Sequence, residues 1–206
     1  MTDAVPKPEE VVGYTIRNSR YLNVTNRCSL RCRFCPKFNG EWDIREYNMR
    51  LRHEPTVDEL IEAAGNPADY DEIVFCGMGE PTMRLDVLLE VARKLREKGA
   101  NLRLNTSGVA NIVHGRDVAP ELARYIQSIS VSLNAQNEEI YNRHCNPRLP
   151  GTYASMLDFI KSARNAGADV TVTALEGLSG VDMAACEAIA KKLGVKFRKR
   201  VLDQLG

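Results

Sequence analysis

Three cysteines, Cys28, Cys32 and Cys35, lie within eight residues near the start of the chain. A structural zinc site takes four ligands, and ordinary ferredoxin clusters take four cysteines. The spacing here is C-x3-C-x2-C, and no fourth cysteine follows nearby. Three thiolates on a four-iron cluster leave one iron open to another ligand, which is the arrangement that substrate chemistry requires. A zinc knuckle completed by His53 or Cys76 is the alternative.

A glycine-rich turn with a carboxylate, Gly77-Met78-Gly79-Glu80-Pro81-Thr82, follows the compact apolar run Glu72–Cys76. Such a run predicts a buried parallel strand. Glycine lets backbone carbonyls approach a ligand closely, and the Glu80 carboxylate can pair with an ammonium group. The alternative is an ordinary strand-to-helix turn with a proline near the start of the helix.

Two weaker polar motifs follow the next two predicted strands. Asn105-Thr106-Ser107-Gly108 ends one strand, and Ser130, Ser132 and Asn134 share one face of the other by strand alternation. Polar side chains that face inward need hydrogen-bond partners, which a bound ligand would supply. Turn and strand-end chemistry is the alternative for both motifs.

Alternating strand and helix patterns must position these motifs. The predicted helices are one beginning at the Thr56–Glu59 capping box, then Leu85–Leu95, Asp117–Ile126, Asn137–His144, Tyr153–Asn165 and Met183–Leu193. The predicted strands are Arg20–Val24, Glu72–Cys76, Asn101–Asn105, Ser128–Leu133, Asp169–Ala174 and Lys196–Leu202, with an irregular basic loop over Thr25–Pro55.

Strands separated by helices predict right-handed βαβ units and a parallel sheet, either open and doubly wound or a partial barrel. In both architectures ligands bind at the carboxyl ends of the strands. The polar and cysteine motifs follow the first four strands, so we expect them to meet at one rim.

The composition limits the architecture and the class of partner. The chain has 206 residues, and 28 Lys and Arg against 27 Asp and Glu give a net charge of +1. This balance argues against a strongly cationic nucleic-acid binder and against an acidic tail protein. A complete eight-fold barrel takes about 250 residues, so it would be cramped here. We expect one domain over residues 14–206, after an N-terminal extension over residues 1–13.

The N-terminus has no basic start followed by an apolar stretch, so it does not predict a secretory signal. No apolar run approaches the ~20 residues that a membrane span needs. We therefore expect a cytoplasmic protein with reduced thiols and no membrane partner, where clustered cysteines bind metal or do chemistry.

The cysteine motif, with Phe34 as its aromatic residue, resembles the radical S-adenosylmethionine (radical SAM) superfamily. The resemblance implies a partial (β/α)6 TIM-like barrel with little decoration. It implies that the three motif cysteines ligate a [4Fe-4S] cluster and that the open iron binds S-adenosylmethionine. It also implies reductive cleavage of S-adenosylmethionine and abstraction of hydrogen from a substrate that the sequence does not identify.

Further site residues follow from the same resemblance. Glu80 and its neighbours match a Gly-Gly-Glu-Pro element that holds the methionine amino group, with Met78 in place of the first glycine. The cofactor-binding residues so implied are Phe34, Gly79, Glu80, Pro81, Asn105, Ser107, Ser132 and Asn134.

The segments Asn111–Asp117 and Leu133–Ala135 resemble the TatD-associated branch of the superfamily, which implies a TatD-like hydrolase as a partner. An electron donor such as flavodoxin or ferredoxin is also implied. A glycyl-radical-enzyme activase and a zinc-binding interaction module are the alternative functions.

Several residues remain open. Cys145 could donate hydrogen, bind a metal or simply pack, whereas Cys76 and Cys186 are expected to pack. Trp42 could form a lid, contact a partner or hold its loop down. Residues 17–53 carry nine Lys or Arg and three Asp or Glu. This basic segment is either a binding surface for an anionic substrate or RNA, or an ordinary solvated loop.

Overall fold

The computed structural model describes residues 10–44 and 46–201. Within them the strands are β1 (Gly13–Ile16), β2 (Ser19–Asn23), β3 (Asp43–Ile44), β4 (Tyr47–Asn48), β5 (Glu72–Cys76), β6 (Leu102–Thr106), β7 (Ser128–Ser132), β8 (Asp169–Glu176) and β9 (Lys196–Val201). The helices are α1 (Val57–Ala64), α2 (Leu85–Glu97), α3 (Ala110–His114), α4 (Ala119–Ala123), α5 (Glu138–Cys145), α6 (Thr152–Asn165) and α7 (Met183–Leu193).

Seven strands form one sheet in the order β1-β2-β5-β6-β7-β8-β9. Neighbouring strands pair in parallel from β2 through β5, β6, β7 and β8 to β9, whereas β1 pairs antiparallel with β2. Strands β3 and β4 form a separate antiparallel pair. The parallel strands follow chain order without a reversal, so the sheet is a partial (β/α)6 barrel and the doubly wound alternative is wrong.

The two faces of the sheet differ in chemistry. The face under the helices is apolar and almost fully buried, and it carries Leu22, Phe75, Leu104, Val131 and Val172. These residues belong to the main hydrophobic core together with the inner sides of the helices. Alternation along each strand turns the intervening residues toward the inside of the barrel.

Local signals begin and end the helices as the sequence predicts. The Thr56 hydroxyl accepts a hydrogen bond from Glu59 N at 3.2 Å, and the Glu59 carboxylate accepts one from Thr56 N at 2.7 Å. This capping box starts α1. Gly194 adopts a left-handed conformation with φ of 66° and ends α7.

The sequence missed β1 and the two-residue strands β3 and β4, because such short edge strands carry no clear alternation. The predicted helix Asp117–Ile126 is wrong in extent. The chain forms α3 first and then the shorter α4, where Pro120 occupies the first turn and the Asp117 carboxylate accepts from Ala119 N at 3.1 Å. Leu202 lies outside the described residues.

A second apolar cluster holds part of the long loop after β2. Tyr14, Met49, Val74, Cys76 and Met78 form it, and Trp42 packs against its edge. Trp42 therefore holds its loop down. Cys76 and Cys186 are buried, as expected. Within the described residues, no helix has both the length and the apolar composition to cross a membrane.

Candidate active site

The loop after β2 brings the three motif cysteines to the carboxyl-terminal rim of the barrel. All three are free thiols of intermediate exposure. Cys28, Cys32 and Phe34 pack against the main core, and Cys28 Sγ accepts a hydrogen bond from Leu30 N at 3.4 Å. Cys35 N donates to Cys32 O at 3.1 Å. The backbone of the loop therefore holds the thiols in a defined arrangement.

The end of α5 fastens this loop to the barrel. Arg31 N donates to Cys145 O at 3.1 Å, and Arg33 N donates to His144 O at 2.9 Å. Cys145 is fully buried, and its thiol lies beside that of Cys32. The hydrogen bond with the Cys145 thiol, together with burial, raises the pKa of Cys32. Cys145 is thus next to the predicted cluster ligands, although more than a hundred residues separate it from them.

Glu80 joins the end of β5 to the end of β6. It is only 3% exposed. Its Oε1 accepts from Thr82 N, Thr82 Oγ1 and Thr106 Oγ1 at 3.1, 2.7 and 2.7 Å, and its Oε2 accepts from Ser107 N and Oγ at 2.6 Å each. Burial and the nearby Glu80 carboxylate raise the pKa of Cys28 to about 12. A fixed negative charge therefore stands beside the thiols.

The glycines before Glu80 allow the cysteine loop to lie directly on the β5 turn. A Cβ on Gly79 would stand 2.3 Å from Thr25 O and 2.4 Å from Arg27 O. Glu80 N also donates to Arg27 O at 2.8 Å. Position 79 therefore requires glycine, because the backbone of the cysteine loop lies where any side chain would begin. Met78, which departs from the family pattern, places its side chain in the second apolar cluster.

The other predicted cofactor-binding residues occupy mixed positions. Ser107 donates to Glu80, and Pro81 is buried at the start of a 3-10 turn over Pro81–Arg84. Asn105 Oδ1 accepts from Arg103 Nη1 at 2.7 Å, so this amide is engaged inside the barrel. Ser132 is half-buried on the inner face of β7.

Asn134 adopts a left-handed conformation just after β7, with φ of 58°. Its Nδ2 donates to Cys145 Sγ at 3.7 Å, and its buried Oδ1 has no partner among the described residues. Thr173 Oγ1 and Tyr141 OH are buried and unpartnered in the same sense. Asn134 N donates to Thr173 O at 3.1 Å, so these two residues lie side by side at the ends of their strands.

Tyr141 lies one helical turn before Cys145 on α5, so the two side chains share a face. Burial, with the surrounding Cys145, Cys32 and Glu80, raises the pKa of the Tyr141 phenol. Sequence reasoning missed Tyr141 and Thr173. The signal for Tyr141 was its position four residues before Cys145 on one helix face, and the signal for Thr173 was its alternation with Thr171 along β8.

These observations test whether the rim suits an iron–sulfur cluster and a polar cosubstrate. Three free thiols on one loop are the donor type that iron–sulfur clusters use. The orphaned oxygens of Asn134, Tyr141 and Thr173 need polar partners that the described protein atoms do not supply. Both observations fit.

The residues that could complete a zinc knuckle are engaged elsewhere. His53 Nε2 lies 2.9 Å from Glu59 Oε1, and Cys76 Sγ lies 3.3 Å from the Tyr14 hydroxyl. Across residues 10–44 and 46–201, no three Cys, His, Asp or Glu side chains are arranged to hold a single metal ion.

A parallel partial barrel with thiols, a buried carboxylate and orphaned polar groups at its carboxyl-terminal rim defines a barrel enzyme with a cofactor site there. The chain matches the model of the Radical SAM superfamily over residues 22–193. It belongs to the radical SAM superfamily, whose members bind a [4Fe-4S] cluster and S-adenosylmethionine.

Relatives agree with this assignment. The chain is 25% identical over 192 residues to the dual-specificity RNA methyltransferase RlmN of Buchnera aphidicola, covering 82% of this chain and 50% of the relative. It is 30% identical over 174 residues to the GTP 3′,8-cyclase of Staphylococcus aureus, covering 82% of this chain and 48% of the relative. The chain thus spans about half the length of these curated relatives.

A solved structure shares the fold. SuiB of Streptococcus suis bound to S-adenosylmethionine superposes with a TM-score of 0.67 at 13% identity, covering 90% of this chain and 40% of SuiB. At this identity the likeness concerns the fold alone, and it confirms the predicted partial barrel.

Proposed function

We propose that this chain cleaves S-adenosylmethionine reductively at the carboxyl-terminal rim and abstracts hydrogen from a substrate bound inside the barrel. The observation that carries the proposal is the convergence of three free thiols, Glu80 and the orphaned polar groups on one rim. The cluster and S-adenosylmethionine, when bound, supply one-electron cleavage of a sulfonium bond and the radical that takes hydrogen from the substrate.

The chain's own residues would divide the work of binding. Cys28, Cys32 and Cys35 would ligate the cluster, and α5 would hold their loop in place through its contacts with Arg31 and Arg33. Glu80 would present a fixed negative charge to the ammonium group of S-adenosylmethionine. This charge needs no rearrangement on binding, because hydroxyl and backbone donors already orient both oxygens.

The orphaned groups would take the polar atoms of the same cosubstrate. Asn134 Oδ1 can only accept a hydrogen bond, whereas Tyr141 OH and Thr173 Oγ1 can donate or accept. The ribose hydroxyls offer both kinds of partner. Phe34, packed beside Cys28 and Cys32, would lie near the adenine.

The substrate and the partners are further proposals. The two curated relatives act on RNA and on GTP by their names, so relatedness does not choose a substrate. An electron donor such as flavodoxin or ferredoxin would reduce the cluster. The TatD-like hydrolase rests on the sequence resemblance alone, and no separate observation favours the glycyl-radical activase.

Anaerobic reconstitution of the chain with iron and sulfide tests the proposal. We expect about four irons per chain, and 5′-deoxyadenosine after addition of dithionite and S-adenosylmethionine. Cys28→Ala and Cys35→Ala should lose both the iron and the product. Cys186→Ala removes a buried thiol of α7 that packs in the main hydrophobic core and is not part of the cysteine motif, so it serves as the matched control.

Two results would overturn the proposal. A wild-type chain that loads the cluster but forms no 5′-deoxyadenosine would contradict it. So would a colourless protein that binds zinc through the same three cysteines.

A further inference from the structure

The inner face of the sheet is polar toward the amino-terminal ends of the strands, whereas Val74 and Cys76 of the second apolar cluster occupy the inner positions further along β5. Complete (β/α)8 barrels fill this space with branched apolar side chains. Here the inner positions carry Tyr21, Glu72, Arg103, Ser130, Thr171 and Arg198, one from each parallel strand, and all six line one cavity of about 360 Å³. A polar cavity of this size differs from the apolar interior of a complete barrel, and its polar groups need hydrogen-bond partners.

The cavity lies toward the amino-terminal ends of the strands, away from the cysteine rim. Glu72 is the first residue of β5, and Arg103 is the second of β6. Arg17, from the turn between β1 and β2, and Arg198, from β9, bring the two edges of the sheet to the same cavity. The cavity therefore lies between the two edges of the sheet.

Positive charge is in excess in this cavity. Three arginines line it with one glutamate, and that glutamate is already engaged. Arg103 Nη2 and Nε donate to the two Glu72 carboxylate oxygens at 2.8 and 3.0 Å. Within residues 10–44 and 46–201, neither Arg17 nor Arg198 forms a direct ion pair with a carboxylate. Against the effect of burial, Arg103 and, to a smaller extent, Arg198 lower the pKa of Glu72, so Arg198 does act electrostatically on this carboxylate.

A fourth arginine adds to this charge. Arg200 follows Arg198 on the same face of β9, and burial together with the charge of Arg198 lowers the pKa of Arg200. The hydroxyls of Ser130 and Thr171 line the same cavity and can donate hydrogen bonds. Guanidinium groups and hydroxyls together are the donors that bind a phosphate in proteins.

We propose that this cavity binds a phosphate group of the substrate, with Arg17 and Arg198 as its principal ligands. The proposal rests on the proposed function, because it takes the inside of the barrel as the substrate site. A phosphate monoester carries about −1.5 to −2 charges at neutral pH, which suits two arginines that form no direct ion pair with a carboxylate of the described residues.

The geometry also limits the size of the substrate. Arg103 lies three residues before Thr106, which donates to Glu80 at the rim. Three residues of strand span roughly 10 Å. A substrate with its phosphate in the cavity must therefore span at least about this distance to bring its reacting carbon to the cysteine rim.

Titration with inorganic phosphate and with pyrophosphate, followed by calorimetry and by the midpoint of thermal unfolding, tests the inference. We expect saturable binding to the wild-type chain. Arg198→Gln and Arg17→Gln should each weaken it about tenfold, the effect of losing a charge-assisted hydrogen bond. Arg93→Gln is the matched control, because Arg93 is exposed on α2 and pairs with Glu97.

Malonate separates phosphate from a dicarboxylate of similar charge. Equal affinity for malonate and phosphate would overturn the assignment to phosphate, and so would unchanged phosphate affinity in both cavity variants. Phosphate binding needs no cluster. A wild-type chain that forms 5′-deoxyadenosine but binds no phosphate therefore overturns this inference alone, and one that binds phosphate but forms no 5′-deoxyadenosine overturns the proposed function alone.

Discussion

Glu80 shows how one residue can serve the fold and the site. Its carboxylate accepts five hydrogen bonds from Thr82, Thr106 and Ser107. These donors come from two different strand ends, so the residue fixes the distance between them. The same bonds keep the negative charge at a fixed place on the rim.

Glu80→Gln tests this network. The change puts an amide NH2 where hydroxyl and backbone donors already point, so unsatisfied donors replace hydrogen bonds. We expect the free energy of unfolding of the apo-protein to fall by about 1–3 kcal/mol, as measured by urea denaturation. Glu187→Gln, exposed on α7, should change little. Equal stability of the two variants would contradict the network.

Tyr141→Phe separates a ligand contact from a structural one. The Tyr141 hydroxyl is buried and has no hydrogen-bond partner in the described part of the chain, so its removal should leave the apo-protein as stable or make it slightly more stable. The affinity of the reconstituted protein for S-adenosylmethionine, measured by equilibrium dialysis, should fall severalfold.

Tyr153→Phe provides the contrasting control, because the Tyr153 hydroxyl donates to Ala135 O at 3.2 Å. This variant should lose about 1 kcal/mol of stability and keep its affinity. If Tyr141→Phe destabilises the apo-protein as much and leaves the affinity intact, the hydroxyl has no role in binding.

At the scale of elements, the long segment between β2 and α1 is anchored at several points. The ends of α5 and of β5 hold its first part, and the second apolar cluster holds its middle. The capping box at Thr56 then ends the segment by starting α1. Each anchor is local, so each can be tested separately.

Thr56→Ala should lower the free energy of unfolding by about 1 kcal/mol at neutral pH. Hydrogen bonds from Thr56 N and Oγ1, and one with His53, lower the pKa of Glu59 to about 2. A lowered folded-state pKa means that this stabilisation is present above the ordinary carboxyl pKa of 4.5 and is lost as the pH falls toward 2.

The difference in stability between wild type and Thr56→Ala should therefore narrow over that acid range, as measured by urea denaturation at stepped pH. A difference that stays constant from pH 6 to about 2 would show that the Thr56 hydroxyl does not stabilise the Glu59 carboxylate, because the backbone hydrogen bond from residue 56 is present in both proteins.

At the scale of the whole molecule, the sheet separates two environments. Its outer face and the helices form the main hydrophobic core that stabilises the chain. Its inner face carries the polar cavity and, further along β5, part of the second apolar cluster. Because the cysteine loop bridges β2, the β5 turn and the end of α5, a ligand on the three thiols would link parts of the chain that are distant in sequence.

Cluster removal should therefore lower the stability of the whole chain. Binding to the folded state alone adds its free energy to folding. We expect the reconstituted protein to unfold several degrees above the apo-protein under anaerobic conditions, and chelation to reverse the gain. Identical unfolding temperatures for the two forms would show that the cluster does not bind the folded chain in preference to the unfolded chain.

The sequence predicted the parallel strands well, because runs such as Glu72–Cys76 and the alternation in β7 are local signals. The predicted helix Asp117–Ile126 had the wrong extent, since the side chains of Asn111 and Asp117 reorganise that turn. Asn105 shows what the sequence did not predict at the site. Its side chain points into the barrel and accepts a hydrogen bond from Arg103, two residues earlier on the same inner face of β6.

By itself the sequence determined the parallel strand–helix architecture and the cysteine motif, because both depend only on residue types and their short-range spacing. It also placed the polar motifs after the strands, and thus at one rim. Only the tertiary structure decided that Cys145 and Tyr141 face the motif cysteines. It alone showed that arginines from both edges of the sheet meet in one cavity. Such contacts depend on how distant elements pack, which local sequence patterns do not encode.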